Sequence, residues 1–201
     1  MIYAALGSLL AGILCGRFLF SPEIVQYMDQ LVSIALKILV FSVGIDVGSN
    51  KAALYKMKEY HIKVLIIPFG IAVGSIGSGI LLGFALGMPM NQSGAIGAGM
   101  GWYSLSAVML RGLGGAQLGT TAFLANIFRE LLSFICIPFI AKYLGYYTAI
   151  APAGATAMDT CLPIIARSTD ETTAVLSVIS GVICTAMVPI LITFLYQFLA
   201  G

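Results

Sequence analysis

From Leu118 to Leu144 the chain runs on apolar side chains for about the depth of a bilayer, yet Asn126, Arg129 and Glu130 sit in the middle of that run. A helix needs about 20 apolar residues to cross a hydrocarbon core of about 30 Å, so this stretch reads as a transmembrane helix. At 1.5 Å per residue, Glu130 lies roughly 18 Å in from Leu118, close to mid-bilayer. A second acid, Asp159, lies in the apolar segment Gly154-Ala-Thr-Ala-Met-Asp159. An unpaired charge at that depth costs several kcal/mol or more, so such residues line a protein interior, a cavity or a pathway. The rest of the chain agrees: 60% of its residues are hydrophobic and 9% charged, against about 25% charged in soluble domains. No cluster of Lys and Arg with aromatics offers a nucleic-acid surface.

Further apolar segments follow the same arithmetic. Met1–Phe20 reads as a first span, with neither the basic start nor the cleavage site of a removable signal peptide. Leu31–Gly48, carrying Lys37 and Asp46, is a second, Ile62–Gly87 a third, and Thr172–Leu199 closes the chain. The fold class is therefore an all-α polytopic membrane protein with five to seven hydrophobic segments, and residues 1–201 form a single transmembrane domain. Lys51, Lys56 and Lys58, in the hydrophilic stretch Ser49–His61, and Lys63 just after it place that loop in the cytoplasm by the positive-inside rule. The N-terminus is then cytoplasmic and the C-terminus outside, whether the chain crosses seven times or five times with two re-entrant segments. Arg111 and Arg167 fall on the cytoplasmic side if every segment crosses fully.

Two segments make poor plain helices. Gln92–Leu110 carries Gly94, Gly97, Gly99 and Gly101, each costing about 1 kcal/mol of helix propensity. Ala149–Arg167 carries Pro152 and Pro163. Irregular backbone at membrane depth is tolerated only where protein or a water-filled cavity covers it, and broken helices in corresponding positions point to a transporter's binding site. The two segments are expected to be discontinuous and to face each other. The competing reading makes the glycines ordinary helix-packing positions.

Asn126, Arg129 and Glu130 can share one broad helix face. They are either a structural salt bridge, Arg129 with Glu130 or Asp159, or part of a cation path. Asp159 follows Thr156 and other small residues that leave room for a ligand, and burial there would let it exchange protons near neutral pH. Two acids flanking a cavity let a proton and a cationic substrate compete for the same charge, which is a physical basis for antiport. Trp102 and Tyr103 are either interfacial belt residues or an aromatic wall for an ammonium. Ser104 and Ser106 suit carboxylate or water contacts, or helix packing. Asp46 is either a site acid or an interfacial residue.

Other chemistries find little support. Cys15, Cys136, Cys161 and Cys184 lie in apolar segments with no CxxC pair and read as inert thiols. His61 reads as a solvated loop residue. No GxxxxGK[ST] is present for ATP drive, and no HExxH or GxSxG for an enzyme.

Three motifs then resemble the LysO-type lysine exporters of bacteria: Gly101-Trp-Tyr-Ser-Leu-Ser106, Asn126-x-x-Arg129-Glu130, and Gly154-Ala-Thr-Ala-Met-Asp159 with Leu162-Pro163. Phe41-Ser-Val-Gly-Ile-Asp46 matches more loosely. The resemblance implies export of L-lysine and similar cationic amino acids across the inner membrane, with Glu130 and Asp159 as the acids that matter most. Proton coupling is expected, with Arg129 and nearby backbone amides meeting the substrate carboxylate. Longer members of that family carry an additional N-terminal block of spans. The chain is thus expected to be the larger half of a split exporter, acting alone, with a small companion membrane subunit, or as a homodimer. A cation channel or ion/proton antiporter that carries no amino acid is the alternative, and an inert scaffold subunit a further one.

Overall fold

The computed structural model describes residues 63–199 continuously and scattered positions between Gly7 and Ser49. The chain divides into two compact units, Met1–Phe41 and Ser42–Gly201. Every described position before residue 50 is helical; Lys37, Asp46 and the stretch 50–62, with His61, lie outside the described residues.

All the regular structure in the second unit, among its described residues, is helical. Helix α1 spans Lys63–Ala85, α2 Met90–Gly97 and α3 Tyr103–Tyr143. Two 3-10 turns follow, Thr148–Ile150 and Gly154–Met158, then α4, Leu162–Ser168, and α5, Glu171–Phe198. Three of these helices, α1, α3 and α5, are long and apolar enough to cross a membrane, and α5 is the most buried of the three.

At 41 residues α3 would reach about 60 Å if straight, twice a hydrocarbon core. It is not straight. Gly115, with φ 89° and ψ 176°, breaks it into two arms, a backbone state that a side chain would strain. The first arm, 103–114, folds back along the second. The Tyr103 ring meets Phe123 edge-on at 5.5 Å, and Gly119 lies so close to the Ala107 carbonyl and the Arg111 stem that no Cβ would fit. Helix α2 runs antiparallel to α1 at equally short range. Ser75 Oγ donates to Gly97 O at 2.6 Å, and Gly79 and Gly83 leave space only for Ser93. Small residues at such contacts let helix backbones approach where lipid offers no hydrophobic drive.

These contacts make Met90–Gly114 a re-entrant hairpin. Its two feet lie at one end of the bundle, where Asn91 Nδ2 donates to Tyr196 O at 3.3 Å and Gly114 abuts the Tyr196 ring. Its tip, residues 98–102, stops beside Ser75, halfway along α1. A second hairpin, 148–168, enters from the opposite end. It leaves the end of α3, where Thr148 Oγ1 donates to Leu144 O. At its tip Ala155 and Met158 press on Gly181 in the middle of α5, and the chain returns to Asp170, which caps α5 by accepting from the Thr173 amide at 2.7 Å.

The two segments expected to be broken are broken, and they touch. Ala155 N–H donates to Met100 O at 2.9 Å, and Gly154, at φ 61°, has no room for a Cβ against that carbonyl. Because both segments turn back at mid-depth, Arg111 and Arg167 lie at opposite ends of the bundle. The expectation that they share a side holds only for full crossings, and the hairpins replace it.

Candidate functional site

The second arm of α3 is a post between the two hairpin tips, and its three polar residues divide the work. Asn126 is buried and holds the first hairpin. Its Oδ1 accepts from Gly101 N–H at 2.8 Å, and its Nδ2 lies within hydrogen-bonding distance of Ile96 O, Ser106 Oγ and Ala122 O. A carboxamide suits this position because the tip presents an amide with no backbone partner, at Gly101, close to a carbonyl that can accept a second hydrogen bond, at Ile96. The turn it secures is strained, with Met100 at φ 44° and Gly101 at φ 93°; a non-glycine residue at positive φ persists only where its surroundings over-determine it.

Arg129 holds the second hairpin. Nε donates to Pro152 O at 3.0 Å, Nη2 to Ala151 O at 3.2 Å, and Nη1 to Ser75 Oγ of α1. Pro152 interrupts regular structure there and leaves carbonyls that only donors can satisfy, and a guanidinium is all donors. The expected salt bridge of Arg129 with Glu130 or Asp159 is therefore replaced by a backbone clamp. The expected meeting of Arg129 with a substrate carboxylate finds three of its donors already engaged.

Glu130 is the member left over. It is 1% exposed. Its Oε1 accepts from Thr160 Oγ1 at 2.5 Å, while its Oε2 is buried with no hydrogen-bond partner. The Thr160 hydroxyl also lies 3.4 Å from Asp159 Oδ1, and that same oxygen accepts from Thr160 N–H at 2.6 Å. One hydroxyl thus reaches both acids. Asp159 itself is exposed, which corrects the expectation of a desolvated carboxylate: it lies past the last 3-10 turn, with φ −135° and ψ −90°. The burial falls on Glu130 alone.

The remaining expected residues separate into lining and scaffold. Trp102 and Tyr103 start α3 at the mid-depth break, not at an end of the bundle, so the belt reading gives way. Ser104 is exposed. Ser106 is fully buried, with its hydroxyl between Tyr103 O and Asn126, and serves the hairpin. Thr156 donates to Ala153 O at 2.9 Å and touches Cys161 Sγ at 3.2 Å, closing the second tip from within. Asp46 lies outside the described residues. Sequence reasoning missed Thr160 and Ser75. The signal for Thr160 was its place beside Asp159; Ser75 stands in a glycine-rich row that read only as packing.

A groove of about 730 Å³ runs between α1 and the second arm of α3, lined by Ser75, Asn126, Arg129 and Ser133 among others, but by neither acid. Adjacent residues of a helix point about 100° apart, so Arg129 faces that groove while Glu130 faces the hairpin junction.

The family model described as lysine exporter LysO matches residues 6–196. The chain is 32% identical over 169 residues to "Lysine exporter LysO" of Escherichia coli, covering 84% of this chain and 56% of that protein. It is 35% identical over 166 residues to a "Putative lysine exporter" of Haemophilus influenzae, covering 80% of this chain and 81% of that protein. The chain thus spans little more than half the length of the first of these relatives. No solved structure matches it.

Proposed function

The chain belongs to the lysine exporter LysO family, and on that premise we propose that it is a secondary transporter that exports L-lysine and similar cationic amino acids from a bacterial cytoplasm in exchange for protons. The observation that carries this reading is the Glu130–Thr160–Asp159 junction, where one carboxylate oxygen is buried without a partner. At mid-bilayer an unpaired carboxylate is stable only with a proton or a cation beside it. A proton and an ammonium therefore exclude each other at Glu130, and that exclusion is the coupling. Exposed Asp159 gives an arriving cation its first contact, and Thr160 links the two acids. The chain acts as a carrier in this reading and not as an enzyme.

In the inner membrane the lysine-rich stretch Ser49–His61 faces the cytoplasm. The N-terminus is then inside and the C-terminus outside. The first hairpin enters from outside and the second from the cytoplasm, so each tip closes the site toward one compartment.

The test is lysine efflux from cells lacking other lysine exporters and fed lysine-containing dipeptides, with this chain alone and with an adjacently encoded small membrane protein. Efflux that acidifies the cell in step with lysine leaving is the expected result. A proton or cation current that ignores lysine would favour the channel or ion-antiporter reading instead.

A further inference from the structure

The first arm of α3 starts in the middle of the bundle with its backbone open. Trp102 occupies the N-cap position and its side chain caps nothing. Tyr103 N–H reaches Gly101 O and Ser106 N–H reaches Trp102 O, but the amides of Ser104 and Leu105 have no partner among the described residues. Leu105 is fully buried, so solvent does not serve it either. The carbonyls four residues back, on Met100 and Gly101, would ordinarily accept from these amides. The strained turn directs them elsewhere, Met100 O to Ala155 N–H and Gly101 O to Tyr103 N–H.

Unpaired amides at a helix start carry the positive end of the helix dipole and bind anions. Such a start does not by itself specify a ligand. The second observation lies across the junction, in the buried and unpartnered Glu130 Oε2. Gly101 N–H, two residues before the same arm, donates to Asn126 Oδ1 at 2.8 Å, and Glu130 stands one helical turn beyond Asn126, past the start of the arm. Unfilled donors and an unfilled acceptor thus meet one junction and do not satisfy each other. A ligand bearing both a carboxylate and ammonium groups satisfies both.

We propose that the backbone amides of Ser104 and Leu105 form the subsite for the substrate's α-carboxylate, while Glu130 and Asp159 take its ammonium groups. The inference rests on the reading of the chain as a carrier of cationic amino acids. Lysine brings two ammonium groups and one carboxylate; the junction answers with two carboxylates and one pair of amides. The subsite makes the carrier select amino acids over simple diamines and inorganic cations, using backbone alone.

The test titrates the purified full chain in lipid nanodiscs with L-lysine, L-lysinamide and 1,5-diaminopentane. Lysine is expected to bind about tenfold tighter than either carboxylate-free analogue, or more, because charge-assisted hydrogen bonds are lost in both. Trp102→Asp places a carboxylate where a capping side chain accepts from the N2 or N3 amide, so the lysine-to-diamine ratio should collapse toward one. Trp102→Ala leaves the amides open and should keep the ratio. Equal binding of all three ligands by the unsubstituted chain, or an undiminished ratio in Trp102→Asp, would overturn the subsite and leave a cation carrier standing. Failure of the folded chain to bind any of the three would remove the transport reading itself.

Discussion

The hairpin between Met90 and Gly114 is secured at its tip by a carboxamide, and the one between Thr148 and Ser168 by a guanidinium. The first tip offers Asn126 an amide and a carbonyl together; the second offers Arg129 only carbonyls. The side-chain chemistry along one face of α3 therefore matches the backbone chemistry of what it holds. The hairpins also differ in what they leave unfilled. The first leaves amide donors at Ser104 and Leu105, because Trp102 does not cap its helix as Asp170 caps α5. The second brings acceptor and relay side chains, Asp159 and Thr160. In the proposed site, the backbone donors of the first hairpin and the carboxylates of Glu130 on α3 and Asp159 on the second hairpin form two electrical poles.

That contrast can be broken hardest at the acids. Glu130→Gln and Asp159→Asn should each cut lysine efflux by about tenfold or more, since a lost charge-assisted hydrogen bond costs roughly 1.5–3 kcal/mol; normal efflux in both variants would mean the poles carry no cargo. Next comes the division between the anchors. Arg129→Gln should lower stability by about 2–3 kcal/mol by stranding carbonyls of the second hairpin. Asn126→Ala should cost about 1–3 kcal/mol by stranding the Gly101 N–H. Cysteine accessibility should then rise near residue 152 in the first variant and near residue 100 in the second; the reverse pattern would dissolve the assignment of one anchor to each hairpin. The smallest effect belongs to the relay. Thr160→Val should slow efflux by about three- to tenfold and Thr160→Ser should restore it, because one neutral hydrogen bond is worth about 0.5–1.5 kcal/mol. Valine behaving like serine would show that the hydroxyl links nothing.

Much of this architecture was readable from residue types. Polar side chains deep in an apolar run announce a protein-lined interior, and the glycines of Gln92–Leu110 and the prolines of Ala149–Arg167 announce breaks. Whether a broken segment crosses or returns was not readable. Hydropathy counts both alike, and the elbow at Gly115 is one of two adjacent glycines that differ only in the backbone angles the fold imposes. Partner choice was equally hidden. Arg129 and Glu130 are neighbours in sequence, so a salt bridge was the natural reading, yet a 100° step sends one to carbonyls and the other to Thr160. Asp159 looked buried because its neighbours are small and apolar, yet it is exposed, where the backbone leaves the 3-10 turn.

The backbone hydrogen bond between Met100 and Ala155, where the two hairpin tips meet, has an electrical consequence in the proposed carrier. In the proposed topology, with half-depth hairpins entering from opposite ends, the insulating layer would be thinnest at the junction and the membrane potential would fall most steeply there. One elementary charge moved through 100 mV is worth about 2.3 kcal/mol. A monovalent lysine leaving as one proton enters moves no net charge through that field and is indifferent to voltage. A second proton per cycle would tie export to the resting potential, so current measured under voltage clamp reads the stoichiometry directly.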